Sequence, residues 1–302
     1  MTIVLTPYMK LQGIFAAITT PFDYKGDIYP AKVQHNVEKW NRTALAGYVV
    51  CSSAGEGVLL SPEEKISVWK MVAQHAGLDR ILIADAGVEG VRETVALANH
   101  AAGLGYKAVL CGVPHHYKTM MYGTDAQMLY YRAVADRSEV PVIIHNAPHY
   151  TGVDVSSETI AQLSEHPNIA GVIESGTPAS RLRQTSEAAR NGFQLLTGSA
   201  GGIWEALQAG AHGAAISFAC AAPYAAIAIW EAFRTREHDA GLDWQARIAH
   251  PSVLVTDLYG VPGLKYAMDL NGYYGGPPRL PLVALPNEAR AEIEEAFRDL
   301  KG

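Results

Sequence analysis

The sequence predicts an α/β fold, a (β/α)₈ TIM barrel with a C-terminal helical extension. Two features of the chain lead to this prediction. Short apolar, β-branched runs alternate eight times with amphipathic segments, at intervals of roughly 30 residues. Several of these runs end abruptly in polar residues, and an α/β barrel keeps its chemistry at the carboxyl ends of its strands.

The order of the elements follows from these runs. The eight that predict strands are 13–22, 47–53, 80–87, 107–114, 140–148, 169–175, 193–199 and 213–219. The segments between them that predict helices include 30–44, 61–76, 91–103, 124–137, 156–165 and 179–191. Ser61 and Ser156 are suited to cap two of these helices, and the proline and glutamates after Ser61 favour a first helical turn.

After residue 222 the strand pattern ends. The helix-like segments that follow are 222–237, 240–257, 261–270 and 286–300. We expect the first to be the eighth barrel helix and the others to form a C-terminal appendage. Residues 1–222 are therefore predicted to form the barrel, and residues 223–302 to pack on it within a single structural unit.

Composition excludes several classes of partner. The chain has 302 residues, a formal net charge of −6 and no run of basic residues, so neither nucleic acid nor an anionic membrane is an expected partner. No apolar run is long enough to span a bilayer, and the apolar N-terminal stretch is too short for a signal peptide. The three cysteines are widely spaced and do not suggest disulfides. We expect a cytoplasmic protein without a cofactor.

Histidines are concentrated at the ends of the fourth and fifth predicted strands. Four of the 11 histidines lie there: His115, His116, His145 and His149. His145, at a strand end, is a candidate general acid/base near neutral pH. A strand-end histidine is more often a hydrogen-bonded structural residue, but the polar neighbours of His145 favour a functional role.

Hydroxyl and glycine residues follow other strands on the same predicted face. Ser52, Ser53 and Ala54 begin a turn whose N–H groups are suited to bind a carboxylate, and a plain strand-to-helix turn explains these residues equally well. Gly198 and Ser199 follow the seventh strand, and Asp85 ends the third.

Two further chemistries are open from the residues alone. His116, His145 and Glu174 contain metal-ligand atoms, but no HxH, HExxH or CxxC spacing accompanies them. Cys51 or Cys111 with His145 is a possible nucleophile–base pair, although cysteines in barrel strands are usually inert. Glu56 and Glu174 form either a carboxylate pair or two separate acceptors for nearby donors. For Glu56 we expect the second.

Five motifs together resemble the dihydrodipicolinate synthase / N-acetylneuraminate lyase family. They are SSAGE at 52–56, VPHHYK at 113–118, HNAPHYTG at 145–152, GVIES at 171–175 and LLTGS at 195–199, and the likeness extends over nearly the whole chain. The resemblance implies a (β/α)₈ barrel with C-terminal helices, assembled as a dimer of dimers. It also implies binding of pyruvate or another 2-oxo acid as a Schiff base on a strand-six lysine.

The chain departs from the family's pattern at the positions that carry this chemistry. Ile173 stands where the resemblance places the lysine, and an isoleucine cannot form an imine. His145 and His116 stand where the family has tyrosines, and Tyr150 where the synthases have an arginine. One hydroxyl of the family's pair remains, at Ser53. Neither Lys118 nor Lys265 lies in a stretch that would replace the missing amine.

Three hypotheses follow from the sequence. The first is a lyase that acts on a small oxo-acid or carboxylate without an imine, with His145 as general acid/base assisted by His116 of a neighbouring subunit. The residues expected to bind its substrate are Ser52, Ser53, Ala54, Tyr150, Ile173, Glu174, Gly198 and Ser199. The second is an inactive barrel that binds a ligand or co-assembles with a partner. The third is a metal-assisted aldolase or hydrolase that uses His145, His116 and Glu174.

Overall fold

A computed structural model describes residues 9–300 of the chain. Eight parallel strands pair in chain order, and β8 returns to pair with β1, so the barrel is closed. The strands are β1 (Gly13–Ile18), β2 (Gly47–Val50), β3 (Ile81–Asp85), β4 (Ala108–Gly112), β5 (Val142–Asn146), β6 (Ile169–Glu174), β7 (Gln194–Thr197) and β8 (Gly213–Ile216). The predicted (β/α)₈ barrel is confirmed.

Each observed strand lies inside its predicted run and ends before the run does. The runs continue into the loops at the carboxyl ends, where apolar residues still occur but pairing has stopped. β2 shows the reason most clearly, because Cys51 has a φ of 63° and turns the chain out of the sheet. The predicted runs therefore contain both the strands and the beginnings of the loops that form the site.

Helices follow the strands around the barrel. They are α1 (Pro30–Trp40), α2 (Pro62–His75), α3 (Val91–Gly103), α4 (Lys118–Met121), α5 (Thr124–Ala135), α6 (Pro148–Thr151), α7 (Ser157–Ser164), α8 (Ala179–Ala188), α9 (Ile203–Gln208), α10 (Pro223–Thr235), α11 (His238–Val253), α12 (Gly260–Leu270) and α13 (Asn287–Ala296). The sequence did not predict α4, α6 and α9, which are too short to show a helical period. Among residues 9–300, none of the helices combines the length and apolar character needed to cross a membrane.

Both predicted N-caps are present. The Ser61 hydroxyl accepts a hydrogen bond from the Glu64 N–H, and the Glu64 carboxylate accepts one from the Ser61 N–H, which completes a capping box at α2. The Ser156 hydroxyl accepts from the Thr159 N–H at the start of α7. A cap of this type contributes about 1 kcal/mol to helix stability.

The strands separate two apolar cores. Every strand contributes at least one residue to the inner core, which includes Phe15, Val49, Ile83, Ala108, Leu110, Ile143, Ile173, Leu196 and Ala215. The outer core lies between the strands and the helices and contains alternate residues, for example Ile144 and Val172. Because side chains alternate along a strand, neighbouring positions face different surroundings.

The C-terminal helices cover one side of the barrel and reach its mouth. α10 contacts β1 and the 3₁₀ turn Ser217–Cys220, as expected of the eighth barrel helix. α11 continues into a π-helical segment, Leu254–Leu258, and α12 follows at once. α10 contacts β1 directly and thus packs as part of the barrel. The boundary between the barrel and the C-terminal helices at residue 222 stays a prediction.

Candidate active site

The carboxyl ends of the strands surround a cavity of about 420 Å³, which we call the inner chamber. Predicted site residues line much of its wall: Ser52, Ser53, Ala54, His145, Tyr150, Ile173, Gly198 and Ser199. The C-terminal segment closes the opposite side with residues that include Val255, Thr256 and Asp257. The loops that follow separate strands thus meet at one place, as the sequence predicted.

A short 3₁₀ turn, Ser53–Gly55, brings hydroxyl groups to the inner chamber. The turn packs tightly on β1, since a Cβ at Gly55 would lie only 2.9 Å from the Ile18 carbonyl oxygen. Ser52 precedes the turn in an extended conformation and is almost fully buried. The leading N–H groups of such a turn have no partner inside it, which leaves them available to an anion.

Across the chamber, β7 leads into a second polar wall. A Cβ at Gly198 would lie 2.0 Å from the Ser175 hydroxyl oxygen, so only glycine allows these two loops to pack this closely. Ser175 and Ser199 both line the chamber. The chamber therefore has hydroxyl groups on two sides, and its lining also includes the acidic residue Asp257.

His145 lies on β5 between Gly112 of β4 and Ile173 of β6, to which it is paired in register. Its Nε2 atom is 3.4 Å from the Ser175 hydroxyl oxygen. Burial, and secondly the charge of His149, lower the pKa of His145 to about 4. The imidazole is therefore neutral at pH 7, where it can accept a proton through one nitrogen or donate a hydrogen bond through the other.

Ile173 gives the inner chamber an apolar wall at the centre of the barrel. Its side chain is 3% exposed and belongs to the inner core. Within the described chain, no lysine lines this chamber. Lys65 and Lys265 are buried, but they lie outside its lining. The chamber therefore offers no amine for an imine with an oxo acid.

Glu174, the next residue, lies on the other side of β6 and does not reach the chamber. Its carboxylate accepts a hydrogen bond from Asn146 Nδ2 at 2.8 Å and one from Arg181 Nε at 3.3 Å. Burial raises the pKa of Glu174, and the charge of Arg181 opposes that rise. The structure corrects the predicted contact between Glu174 and the substrate. Side chains alternate along β6, so Ile173 faces inward and Glu174 faces the helices.

His116 lies outside the inner chamber as well. Its backbone N–H donates to the Glu89 carboxylate at 3.1 Å, and its exposed ring meets Tyr117 edge to face. His116, His145 and Glu174 therefore lie in three separate places and do not form the ligand set of the metal hypothesis. Residues 9–300 contain no cluster of three or more side chains suited to hold a metal ion. A contribution of His116 to a neighbouring subunit's site stays a prediction.

The cysteines do not support the thiol hypothesis. Cys51 and Cys111 are buried, and burial raises the pKa of both thiols well above the usual range. A thiol acts as a nucleophile in its ionised form, so neither residue is activated here. Neither lines the inner chamber.

Glu56 forms a buried ion pair with Lys265 beside the chamber, and the backbone of Arg279 joins it; we call these three residues the ion-pair cluster. Lys265 Nζ lies 2.5 Å from Glu56 Oε1 and also donates to the carbonyl oxygens of Thr20 and Pro277, at 2.9 and 3.0 Å. The backbone N–H of Arg279 donates to Glu56 Oε2 at 2.7 Å. Glu56 thus accepts from nearby donors, as the sequence led us to expect, and joins the β2 loop to α12.

A second, larger cavity of about 920 Å³ opens beside the inner chamber, and we call it the outer cleft. Ser53, His145 and Tyr150 line both cavities, so His145 lies where they meet. Most of the outer cleft is apolar: its lining includes Val58, Val88, Val113, Pro114, Leu258, Pro262, Leu282, Val283 and Leu285. Asp85 lines its inner end.

Asp85 is the last residue of β3 and shares a strand face with Ile81 and Ile83, which pack in or against the inner core. Its Oδ1 accepts a hydrogen bond from the Gly87 N–H at 3.3 Å. Burial raises the pKa of Asp85 to about 6, with the charge of Lys65 opposing the rise. A carboxyl group in this range changes its protonation state near neutral pH.

The sequence model of the dihydrodipicolinate synthetase family matches residues 10–300. The chain belongs to this family. It is 30% identical over 288 residues to the 4-hydroxy-tetrahydrodipicolinate synthase of Methanothrix thermoacetophila, and the match covers 95% of this chain and 96% of the relative. It is 31% identical over 294 residues to the probable mitochondrial 4-hydroxy-2-oxoglutarate aldolase of Emericella nidulans, with 95% and 94% covered.

Solved structures of the family have the same architecture. The chloride-inhibited dihydrodipicolinate synthase of Acinetobacter baumannii, crystallised with pyruvate, superposes with a TM-score of 0.91 at 26% identity and covers 96% of this chain and 99% of its own. The predicted resemblance to the dihydrodipicolinate synthase family is confirmed. The barrel, its C-terminal helices and membership of a lyase and aldolase family are established together.

Within this dihydrodipicolinate synthase family member, sequence analysis missed two parts of the site. It placed Asp85 at a strand end without giving it a role, although the alternation from Ile81 through Ile83 indicates that it faces inward. It gave no indication of Thr256 and Asp257, which lie in a π-helical segment far along the chain. π-helical turns often occur at functional sites, but they have no clear sequence signature.

Proposed function

We propose that this chain is a lyase that breaks or forms a carbon–carbon or carbon–oxygen bond in a small 2-oxo acid or related carboxylate, without a lysine Schiff base. The supporting observation is the inner chamber, in which Ile173 lies beside His145 and no lysine is among the described lining residues. Dihydrodipicolinate synthase activity is not part of the proposal. In this reading, Ile173 occupies the place of the family's lysine.

The carboxylate of the substrate binds to the hydroxyl groups of Ser52 and Ser53 and to N–H groups of the turn that includes Ala54. Gly198 and Ser199 form the facing wall, and Tyr150 closes the side towards the outer cleft. Ile173 packs against the apolar part of the substrate. These groups are neutral donors, and a carboxylate accepts hydrogen bonds from such donors without a cation.

His145 acts as the general acid/base in this proposal. Because its pKa is about 4, it begins the reaction as a neutral base and returns the proton in a later step. A well-positioned general acid/base contributes about 10²–10⁴-fold to the rate, which is less than an imine provides as an electron sink. Hydrogen bonds from Ser53 and the turn must therefore stabilise the developing oxyanion.

The substrates to test first are 4-hydroxy-2-oxo acids. The relative from Emericella nidulans is called a probable 4-hydroxy-2-oxoglutarate aldolase, and the structure from Acinetobacter baumannii contains pyruvate. Pyruvate is the smallest 2-oxo acid, and an aldol reaction joins it to an aldehyde to give a 4-hydroxy-2-oxo acid. The proposal applies the same class of bond to this chain.

We also propose a cytoplasmic homo-oligomer, built as a dimer of dimers. Large apolar side chains on and beside α4 are exposed: Tyr117, Met120 and Tyr122. They adjoin the loop that contains His116, and an interface here would bring His116 towards a neighbouring chain. Light scattering on the purified protein tests this assembly, and Met120→Lys is expected to shift the mass towards a smaller species.

Borohydride trapping tests the absence of an imine. The protein is incubated with pyruvate and with a panel of 2-oxo acids, reduced with borohydride, and examined by intact mass. We expect no adduct on the native chain, and an adduct on Ile173→Lys if the introduced amine reaches the chamber. An adduct on the native chain, assigned to a lysine by peptide mapping, would overturn the proposal and restore the Schiff-base mechanism.

A further inference from the structure

Asp85 and His145 face the same space from two strands that are separated only by β4. Two inward residues of β4 lie between them: Leu110, paired in register with Asp85, and Gly112, paired in register with His145. A Cβ built on Gly112 meets no atom within 4 Å, so the position opens directly into the cavity. Asp85, Gly112 and His145 all line the outer cleft. A gap above Gly112 therefore separates a carboxyl group from an imidazole.

We propose that Asp85 is a second catalytic residue of this site, acting across the Gly112 gap from His145 on the half of the substrate that extends into the outer cleft. The inference rests on the proposed function and assigns its substrate class. The substrate has a carboxylate end of a 2-oxo acid in the inner chamber. Its second half has a hydroxyl group at Asp85 and an apolar substituent along the outer cleft, where Val58, Val88 and Leu282 lie.

The surroundings of Asp85 fit this role. One carboxylate oxygen accepts the Gly87 N–H, which fixes the orientation of the group. The ionisable groups around it are Lys65 of α2, Cys51 after β2, Cys111 of β4 and Tyr130 of α5. The two thiols and the phenol have raised pKa values and stay neutral, so Lys65 is the charge that opposes the effect of burial. A carboxyl group with a pKa of about 6 is a stronger base than His145 with a pKa of about 4.

Asp85 and His145 carry out different proton transfers in one aldol cleavage. The Asp85 carboxylate takes the proton of the substrate's C4 hydroxyl group, the C3–C4 bond breaks, and its electron pair forms the enolate of the 2-oxo acid while C4 becomes an aldehyde. C3 then gains a proton that the His145 imidazole takes up from solvent, and Asp85 releases its proton to solvent. The products are an aldehyde and a 2-oxo acid, and no proton or electron is gained or lost overall.

Two assays separate the two halves of the reaction. Exchange of the methyl protons of pyruvate in D₂O, followed by proton NMR, needs only the inner chamber and His145. Cleavage of a panel of 4-hydroxy-2-oxo acids with hydrogen, carboxylate or phenyl at C4, followed by pyruvate release, needs both residues. We expect Asp85→Asn to lower the cleavage rate by about 10²-fold or more and to leave the exchange rate within a few-fold.

The pH profile distinguishes proton transfer from a structural role. In the native protein kcat/KM for cleavage is expected to rise with pH through about 6, because Asp85 must lose its proton to act as a base. Asp85→Asn is expected to abolish that rise. Gly112→Ala adds a Cβ that meets no atom within 4 Å, and should lower cleavage while thermal melting stays unchanged. Asp79→Asn, in the exposed loop before β3, is the matched control.

The results of these assays distinguish the role of Asp85 from the proposed function. If the native protein cleaves a substrate of the panel and Asp85→Asn retains both rate and pH profile, the assignment of Asp85 is overturned and the proposed function stands. If the native protein neither exchanges pyruvate protons nor cleaves any substrate, the proposed function fails and the role of Asp85 fails with it. A preference for the phenyl substituent over hydrogen supports the apolar outer cleft as the second subsite.

Discussion

The ion-pair cluster and the inner chamber are built from the same loop and have opposite character. Glu56 and Ser53 both belong to the segment that follows β2. In the ion-pair cluster, Lys265 Nζ lies 2.5 Å from the Glu56 carboxylate, and the Arg279 N–H satisfies the other oxygen. In the inner chamber, the His145 side chain has one hydrogen-bond contact within the described chain, to the Ser175 hydroxyl group at 3.4 Å.

This difference separates polar groups that hold the fold from polar groups available to a ligand. A buried charge is tolerated when an opposite charge and hydrogen bonds surround it, and such a group has no capacity left for a substrate. A buried imidazole that faces an empty volume keeps its capacity and has its pKa moved instead. The type of residue does not decide its role, since glutamate, lysine and histidine all occur at the mouth of this barrel.

Among substitutions in the inner chamber, His145→Ala is expected to produce the largest loss of activity. Removal of the proton carrier should lower kcat for cleavage of a 4-hydroxy-2-oxo acid by about 10²–10⁴-fold and leave the melting temperature nearly unchanged. Pyruvate release and thermal melting measure the two quantities. His100→Ala, on the exposed surface of α3, is the control. Full turnover in His145→Ala would remove His145 from the mechanism.

Lys265→Met is expected to produce the opposite pattern. It leaves the buried carboxylate of Glu56 without its ammonium partner, which typically costs about 3–5 kcal/mol of unfolding free energy. Urea unfolding measures this loss, and the double variant Glu56→Gln with Lys265→Met should recover part of it. Arg234→Ala, which removes an exposed ion pair with Glu231, should cost little stability. An equally small loss in Lys265→Met would contradict a structural role for the cluster.

The local sequence pattern was sufficient to predict the fold. It was insufficient to predict which polar residues line the inner chamber and which form the ion-pair cluster. The strands and most helices follow from period and caps, because these depend on residues close in the chain. Which strand-end residues share the chamber follows from alternation, which explains why Ile173 lines it and Glu174 does not. The pairing of Glu56 with Lys265, and the position of Thr256 at the chamber, depend on how the C-terminal helices fold back over the barrel. No local pattern contains that information.

Asp85→Asn is expected to lower the cleavage rate and to raise the stability of the folded protein. The pKa of Asp85 is about 6 in the folded chain, against an ordinary value of 3.8, so the folded state binds the proton more tightly. Stability is therefore lost as the pH rises from about 4 to about 6. Above that range the asparagine variant should be more stable, by at most about 3 kcal/mol at 1.36 kcal/mol per pKa unit.

Urea unfolding at pH 4 and at pH 7.5 measures this difference for Asp85→Asn. The gain should be present at the higher pH and small at the lower one, because the carboxyl group is mostly protonated there in the folded state. Asp79→Asn, which removes an exposed carboxylate paired with Arg80, is the control and should change stability little at either pH. A gain that is equal at both pH values would mean that desolvation of the charge is not its cause.

Ser53→Ala is expected to have the smallest effect. It tests whether the loop after β2 contributes separately to the inner chamber and to the ion-pair cluster. Its hydroxyl group lines the inner chamber, while its carbonyl oxygen accepts the Glu56 N–H and is unchanged by the substitution. Loss of one hydrogen bond to a carboxylate should weaken pyruvate binding by about tenfold, measured by calorimetric titration, with no loss of stability. Glu56→Gln should lower stability and leave pyruvate binding intact, because its carboxylate faces Lys265. If both substitutions changed binding and stability alike, the loop after β2 would act as one unit and the separation between chamber and cluster would fail.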